Sequence, residues 1–236
     1  MLSQNRKNIY YFASFAAVGG FLEAFTFLLH GGVFCNAQTG NLVLFALNLS
    51  KGQFSDGAKY LYALVAYIAG ILLSCAIPLH AKKLNLKIAV TGFEIAALCA
   101  IAFIPDSASN WFTYVSVAFL CALQYNTFTE CAGVKIATTF CTNNLRQAVM
   151  RLYRGIALKD CRQLKESGLY AFVILCFAAG AVAGGISAKY MGNFCILLCP
   201  ALLLPVLLTM IFTKEKPTDG PAAPTGNADG ICENQG

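Results

Sequence analysis

LEAFTFLLHGGVFCNAQTGNLVLFALNLS, residues Leu22–Ser50, is the stretch on which the fold turns. It opens as the end of an apolar helical run and breaks at Gly31-Gly32. It then carries Asn36, Gln38, Thr39, Gly40 and Asn41 before a short apolar segment resumes. Facing lipid, four polar side chains on flexible backbone would be prohibitive; such backbone is tolerated where it is buried in protein or lines a cavity. Thr39-Gly40-Asn41 reads as an N-cap that starts a half-helix, after a short extended piece over Val33–Cys35.

The same plan recurs downstream. Leu22-Glu23-Ala24-Phe25-Thr26-Phe27 lines up with Leu123-Gln124-Tyr125-Asn126-Thr127-Phe128, and Gly32-Val33 with Gly133-Val134. Thr39-Gly40-Asn41-Leu42 matches Thr142-Asn143-Asn144-Leu145, and Tyr67-x-Ala69-Gly70-x-x-x-Ser74 matches Phe177-x-Ala179-Gly180-x-x-x-Gly184. The offset grows from 101 to 103 to 110 without a change of order, as a duplication with loop insertions would give. The second broken segment is expected over Gly133–Met150, with its extended piece at Ile136–Phe140.

Around these segments lie six apolar runs: Ile9–Leu29, Tyr60–Leu79, Ile88–Ile104, Trp111–Thr129, Leu169–Ala188 and Phe194–Phe212. Each is close to the ~20 residues a helix needs to cross the hydrocarbon core. Of the 236 residues 58% are hydrophobic and 12% charged, against roughly 25% charged in a typical soluble domain. That balance excludes a soluble enzyme. It predicts an all-α membrane protein of about six transmembrane helices in two inverted three-helix repeats, each with a short broken or re-entrant segment. A single transmembrane domain is expected over residues 1–213, with repeats at about 9–105 and 110–213, followed by a disordered cytoplasmic tail over 214–236.

Charge sets the orientation. The net charge of +6 does not indicate nucleic acid, because six of the seventeen basic residues fall between Arg146 and Lys165 and others flank the apolar runs. If the broken segments do not cross, Arg6/Lys7, Lys82/Lys83/Lys87, Arg146–Lys165 and Lys214/Lys216 share one side. The positive-inside rule makes that side cytoplasmic and puts both termini there. Three spans per half is odd, so the halves would be inverted. The eleven cysteines show no CxxC pair and no Cys/His cluster; most sit in apolar runs as small hydrophobes, so neither metal nor cofactor is expected.

Glu23 is the sharpest single residue, since a carboxylate in mid-span costs roughly 2.5–3.5 kcal/mol on insertion scales. Two roles fit it. It could be a proton- or cation-coupling group opposed by Gln124 and Asn126, or a carboxyl that hydrogen-bonds the broken segment and holds the fold. Asn36, Gln38, Thr39, Gly40 and Asn41, with Thr142, Asn143 and Asn144, offer hydroxyls, amides and free N–H groups at half-helix starts. Two such ends would suit an anionic group. Glu94 reads as a lesser, structural residue that could pair with Lys87. The pairs Gly70-xxx-Ser74 and Gly180-xxx-Gly184 allow close helix approach.

The motifs Gly20-Phe21-Leu22-Glu23-Ala24, Gly31-Gly32-Val33-Phe34, Thr39-Gly40-Asn41-Leu42 and Ala137-Thr138-Thr139-Phe140-Cys141-Thr142 resemble the YoaK-type family of small bacterial inner-membrane proteins, a domain of unknown function. The likeness runs from roughly Tyr10 to Phe212. It implies a multi-pass inner-membrane location and about six spans, and brings no substrate. Members of that family usually carry Asp where this chain has Glu23, and continue Thr-Gly where it has Thr142-Asn143.

Three classes of function follow. The first is a secondary transporter or permease-like protein for a small solute, with an anion suited to the half-helix ends and Glu23 as a proton-coupling group. The second is a non-transporting scaffold or lipid-binding subunit of a larger assembly. An enzyme comes last, because the chain has no HExxH, GxSxG, histidine cluster or paired aspartates. Membrane lipid and an unnamed small solute are the expected partners, nucleic acid is not, and a homo-oligomer is left open.

Overall fold

The computed structural model describes residues 2–80, 84–105, 110–139 and 141–213. Lys82, Lys83, Asp106, Phe140 and the expected tail over 214–236, with Lys214 and Lys216, lie outside the described residues. The described residues are mostly helical: α1 Leu2–Leu29, α2 Gln38–Ser50, α3 Phe54–His80, α4 Leu86–Ala102, α5 Trp111–Thr127, α6 Cys141–Ala157, α7 Cys161–Met191 and α8 Leu198–Phe212. A short 3-10 helix, Gly192–Leu197, joins α7 to α8. The all-α expectation needs one amendment, a small antiparallel hairpin of β1 Glu130–Cys131 and β2 Val134–Lys135 between α5 and α6.

Among the described residues three stretches are long and apolar enough to cross a membrane: Gln4–Leu29, Phe54–His80, and Cys161–Phe212, which contains the 3-10 break. Large apolar side chains also face outward along them, Leu72 (63% exposed) and Leu175 (66%) among them. A soluble protein rarely exposes such a surface, whereas lipid requires it.

Close helix contact follows from small residues. α1 packs chiefly on α7, and α3 on α5. A Cβ added at Gly180 would overlap the Ala17 carbonyl, one at Gly20 the Phe177 carbonyl, and one at Gly70 the Phe119 carbonyl. Gly184 leaves only 2.7 Å to the Phe21 carbonyl for a Cβ. Backbones touch at these places because no side chain intervenes.

Polar ties show which helix ends meet. Lys59 Nζ donates to the Gly31 carbonyl (2.6 Å), bringing the start of α3 beside the end of α1. His30 bonds Asn110, ahead of α5, and Asn193, between α7 and α8 (3.3 and 3.1 Å). Asn193 in turn donates to carbonyls of Ile101, Ala102 and Ile104 at the end of α4. At the opposite end Lys7 Nζ donates to Thr213 Oγ1 (3.2 Å), and Arg151 pairs with Glu166. The bundle therefore has a His30 end and an Arg151 end.

α2 and α6 behave differently from the other helices. α2 doubles back along α3 after a three-residue turn, with Gly57 of α3 against Phe45 and Asn48. α6 doubles back along α7, where Ser167 Oγ donates to the Ala148 carbonyl (2.7 Å). The α2–α3 turn lies at the His30 end and the α6–α7 turn at the Arg151 end.

Candidate functional site

After α1 the chain turns through Gly31 and Gly32, both at positive φ (84° and 69°), a conformation glycine adopts without penalty. It then runs back beside α1. Glu23 receives it: Oε2 accepts from Asn36 N (2.8 Å) and Cys35 Sγ (3.0 Å), and Oε1 accepts from Ala37 N (3.1 Å). These N–H groups precede α2 and have no helical partner, so a carboxylate on a different helix closes the break. Asn36 Nδ2 donates to the Gly19 carbonyl (3.2 Å). Gly19 stands ten residues, about 15 Å, back from the end of α1.

The break is held by its own amides. Asn41 Nδ2 donates to the Phe34 carbonyl (2.7 Å) while Asn41 Oδ1 accepts from Phe34 N (3.0 Å). Asn41 Nδ2 also donates to Gln38 Oε1 (3.0 Å), and Gln38 Nε2 donates to the Cys35 carbonyl (3.0 Å). The second break repeats this clasp at the same seven-residue spacing: Asn144 Nδ2 donates to the Ala137 carbonyl (2.6 Å) and Oδ1 accepts from Ala137 N (3.3 Å). That chain then brings Thr139 to α1, where a Cβ on Gly19 would lie 2.9 Å from Thr139 Cγ2. Gly19 is thus touched by both breaks, at its carbonyl by the first and at its α-carbon by the second.

Among the described residues several buried polar atoms nearby have no hydrogen-bond partner: Asn36 Oδ1, Thr138 Oγ1, Thr139 Oγ1, Tyr67 OH and both amide atoms of Gln124. Tyr67 lies within electrostatic reach of Glu23, Cys35 and Cys121. Cys121 lies within electrostatic reach of Cys35, and Gln124 stands one turn along α5 from it. Buried polar groups are normally paired, so these unengaged hydroxyls and amides stand out within the bundle.

The predicted residues divide into three sets. Glu23, Asn36, Gln38, Asn41 and Asn144 build the breaks, Gly40 packs under the Phe34 ring, and Gln124 is buried with its amide unengaged. Thr39, Thr142 and Asn143 are exposed. The expected Thr39 cap is corrected: α2 begins one residue earlier, and the position before it, Ala37, has no side-chain cap. Helix α6 likewise begins at Cys141, so Thr142 lies inside its first turn. Asn126 donates to Ser74 Oγ (2.7 Å), tying α5 to α3.

Sequence reasoning passed over Thr138 and Thr139, which stand in a quoted motif but outside any helix cap. It also underrated Glu94. This carboxyl is 1% exposed, neither oxygen has a partner, and the expected pairing with Lys87 is absent among the described residues. Among the described residues a cavity opens at each end of the bundle. One of about 390 Å³ is lined by His30, Asn110, Thr113 and Asn193. The other, of about 640 Å³, lies between α6, α7 and the hairpin. Among the described residues no group of three or more His, Cys, Asp or Glu is placed to hold a metal ion.

Apolar membrane-length helices, an outward apolar surface and irregular backbone buried within the bundle define a polytopic α-helical membrane protein. The chain belongs to the DUF1275 family of proteins of unknown function, whose sequence profile matches residues 12–210. No curated protein and no solved structure matches it.

Proposed function

We propose that this protein is a secondary transporter or permease-like carrier of a small polar solute, binding it where the two breaks meet at Gly19. In this reading the chain is no enzyme. It is two inverted three-span repeats, with α2 and α6 as re-entrant half-helices, in a bacterial inner membrane. The contact of both breaks with one residue, beside buried hydroxyls and amides that lack partners, is the observation that carries the proposal. Discontinuous helices meeting at mid-depth are the recurrent site of secondary transporters.

Inversion is supported by the paired contacts. α1 on α7 answers α5 on α3, α2 on α3 answers α6 on α7, and Asn41–Phe34 answers Asn144–Ala137 at the offset of 103. Orientation is supported by charge. Four of the seventeen lysines and arginines lie outside the described residues; ten of the other thirteen sit at the Arg151 end, and only Lys51, Lys59 and Lys189 at the His30 end. The Arg151 end, with both termini, is then cytoplasmic.

The engaged Glu23 carboxyl favours its structural role, so solute recognition is assigned first to Asn36, Gln124, Thr138 and Thr139. The test is a thermal-stability screen of the detergent-purified chain against metabolites and ions, beside Gln124→Leu and Thr139→Val, followed by flux into liposomes. A solute that stabilises the wild type, loses its effect in both variants and crosses the liposome supports the carrier. If only lipids stabilise the protein and the variants respond alike, the chain is the scaffold or lipid-binding subunit instead.

A further inference from the structure

The cavity between α6, α7 and the hairpin is distinct from the meeting point at Gly19, and its polar groups are unevenly engaged. Three cations (Lys135, Arg151, Arg162) face two carboxylates (Asp160, Glu166), a local balance of +1. The carboxylates are occupied. Glu166 binds Arg151 through one oxygen and Arg162 Nε through the other (2.9 Å), while Asp160 caps α7 by accepting from Arg162 N (2.8 Å) and Gln163 N (3.4 Å).

The donors are not all used. Arg151 Nε is buried without a partner; among the described residues the exposed Lys135 ammonium and Asn143 amide and the half-buried Gln147 amide make no hydrogen bond to protein, so they are open to an incoming group. Asn143, Gln147 and Arg151 follow one another at four-residue spacing on one flank of α6, the flank that lines the cavity. The cavity wall is also fixed in advance. Tyr170 OH donates to the Lys135 carbonyl (2.7 Å), and its ring lies 5.5 Å beneath the Arg151 guanidinium. A cation entering here would meet carboxylates already engaged, Glu166 by two guanidinium groups and Asp160 by the start of α7, whereas an anion would meet unengaged donors and a local balance of +1.

We propose that this cavity binds a phosphate-type oxyanion, with Lys135, Asn143 and Gln147 as its donors and the part-exposed Arg151 guanidinium adding charge beside them. The volume of about 640 Å³ exceeds what a bare phosphate needs, leaving room for the group that the phosphate is esterified to. Two sources share that chemistry, a soluble phosphate compound and an anionic phospholipid headgroup. The latter is within reach because α6 also exposes Leu145, Val149, Leu152 and Ile156 on another flank. The site stands independently of the carrier reading, since it uses none of the groups at Gly19.

The experiment measures thermal stability of the full chain in detergent with inorganic phosphate, against chloride at equal ionic strength. It is repeated in phosphatidylcholine vesicles with and without phosphatidylglycerol. Lys135→Gln and Gln147→Ala are the variants, because both leave the Arg151–Glu166 pair intact. Losing a donor to the oxyanion weakens apparent affinity, about tenfold for the charge-assisted Lys135 bond and less for the neutral Gln147 one. Stabilisation by phosphate that both variants weaken establishes a soluble-anion site. Stabilisation confined to phosphatidylglycerol, and weakened by both variants, establishes a headgroup site. No stabilisation by either, or equal response of wild type and variants, overturns the proposal.

Discussion

Glu23 and Gln124 occupy matching places in the two halves, yet they are used differently. Glu23 accepts three hydrogen bonds from the first break, while the Gln124 amide, fully buried, has none. Replacing Glu23 by Gln turns one acceptor into a donor facing an N–H or thiol. Hydrogen bonds to a charged group contribute about 1.5–3 kcal/mol, so a loss of that order is expected in the melting of the purified variant. Gln124→Leu should leave stability unchanged or higher and alter only ligand response. Glu94 makes the same point more sharply. A buried carboxyl without a partner lowers stability, so Glu94→Met should raise it by about 1–2 kcal/mol in a denaturation series. A variant that is more stable but inactive in flux would identify Glu94 as a group retained for function at the expense of stability.

At the scale of elements the two clasps and the backbone contacts decide the architecture. Asn41→Ala and Asn144→Ala each remove a donor and an acceptor from buried backbone, and each should lower stability by about 2–3 kcal/mol, in parallel because the geometry is shared. Gly180→Ala should cost about 1–3 kcal/mol by driving a methyl into the α1 backbone. Gly168→Ala on the same helix has open space around it and should gain about 0.5–1 kcal/mol. Much of this was legible in the sequence. Apolar runs mark the long helices because lipid dictates their length and polarity, and Gly70 and Gly180 stand out by small-residue spacing. The capping chemistry was not. Thr39 looks like a local cap, but the N–H groups at the first break are closed by Glu23 from α1 and the segment by Asn41 reaching back seven residues. Such tertiary partners leave no mark in local spacing. Thr138 and Thr139 escaped notice for the same reason, since what distinguishes them is the absence of a partner in the fold.

At the scale of the whole molecule the inverted arrangement makes a demand that no local contact can meet. Lys59 to Gly31 ties the α2–α3 turn to the His30 end, whereas Arg151 to Glu166 lies beside the α6–α7 turn at the other. If α2 and α6 are half-helices entering from opposite faces, Gln53 and Lys159, both exposed in those turns, lie on opposite sides of the membrane. Single cysteines at these positions, in a background with the native cysteines replaced, should react with an impermeant maleimide from opposite sides of oriented vesicles. Cysteines placed near the start of α1 and the end of α8, joined by the Lys7–Thr213 bond, should label from the same side as Lys159→Cys. Labelling of Gln53→Cys and Lys159→Cys from one common side would mean that one short helix crosses fully. The halves would then lose their inversion, and the site at Gly19 would lose the two-sided access that a carrier requires.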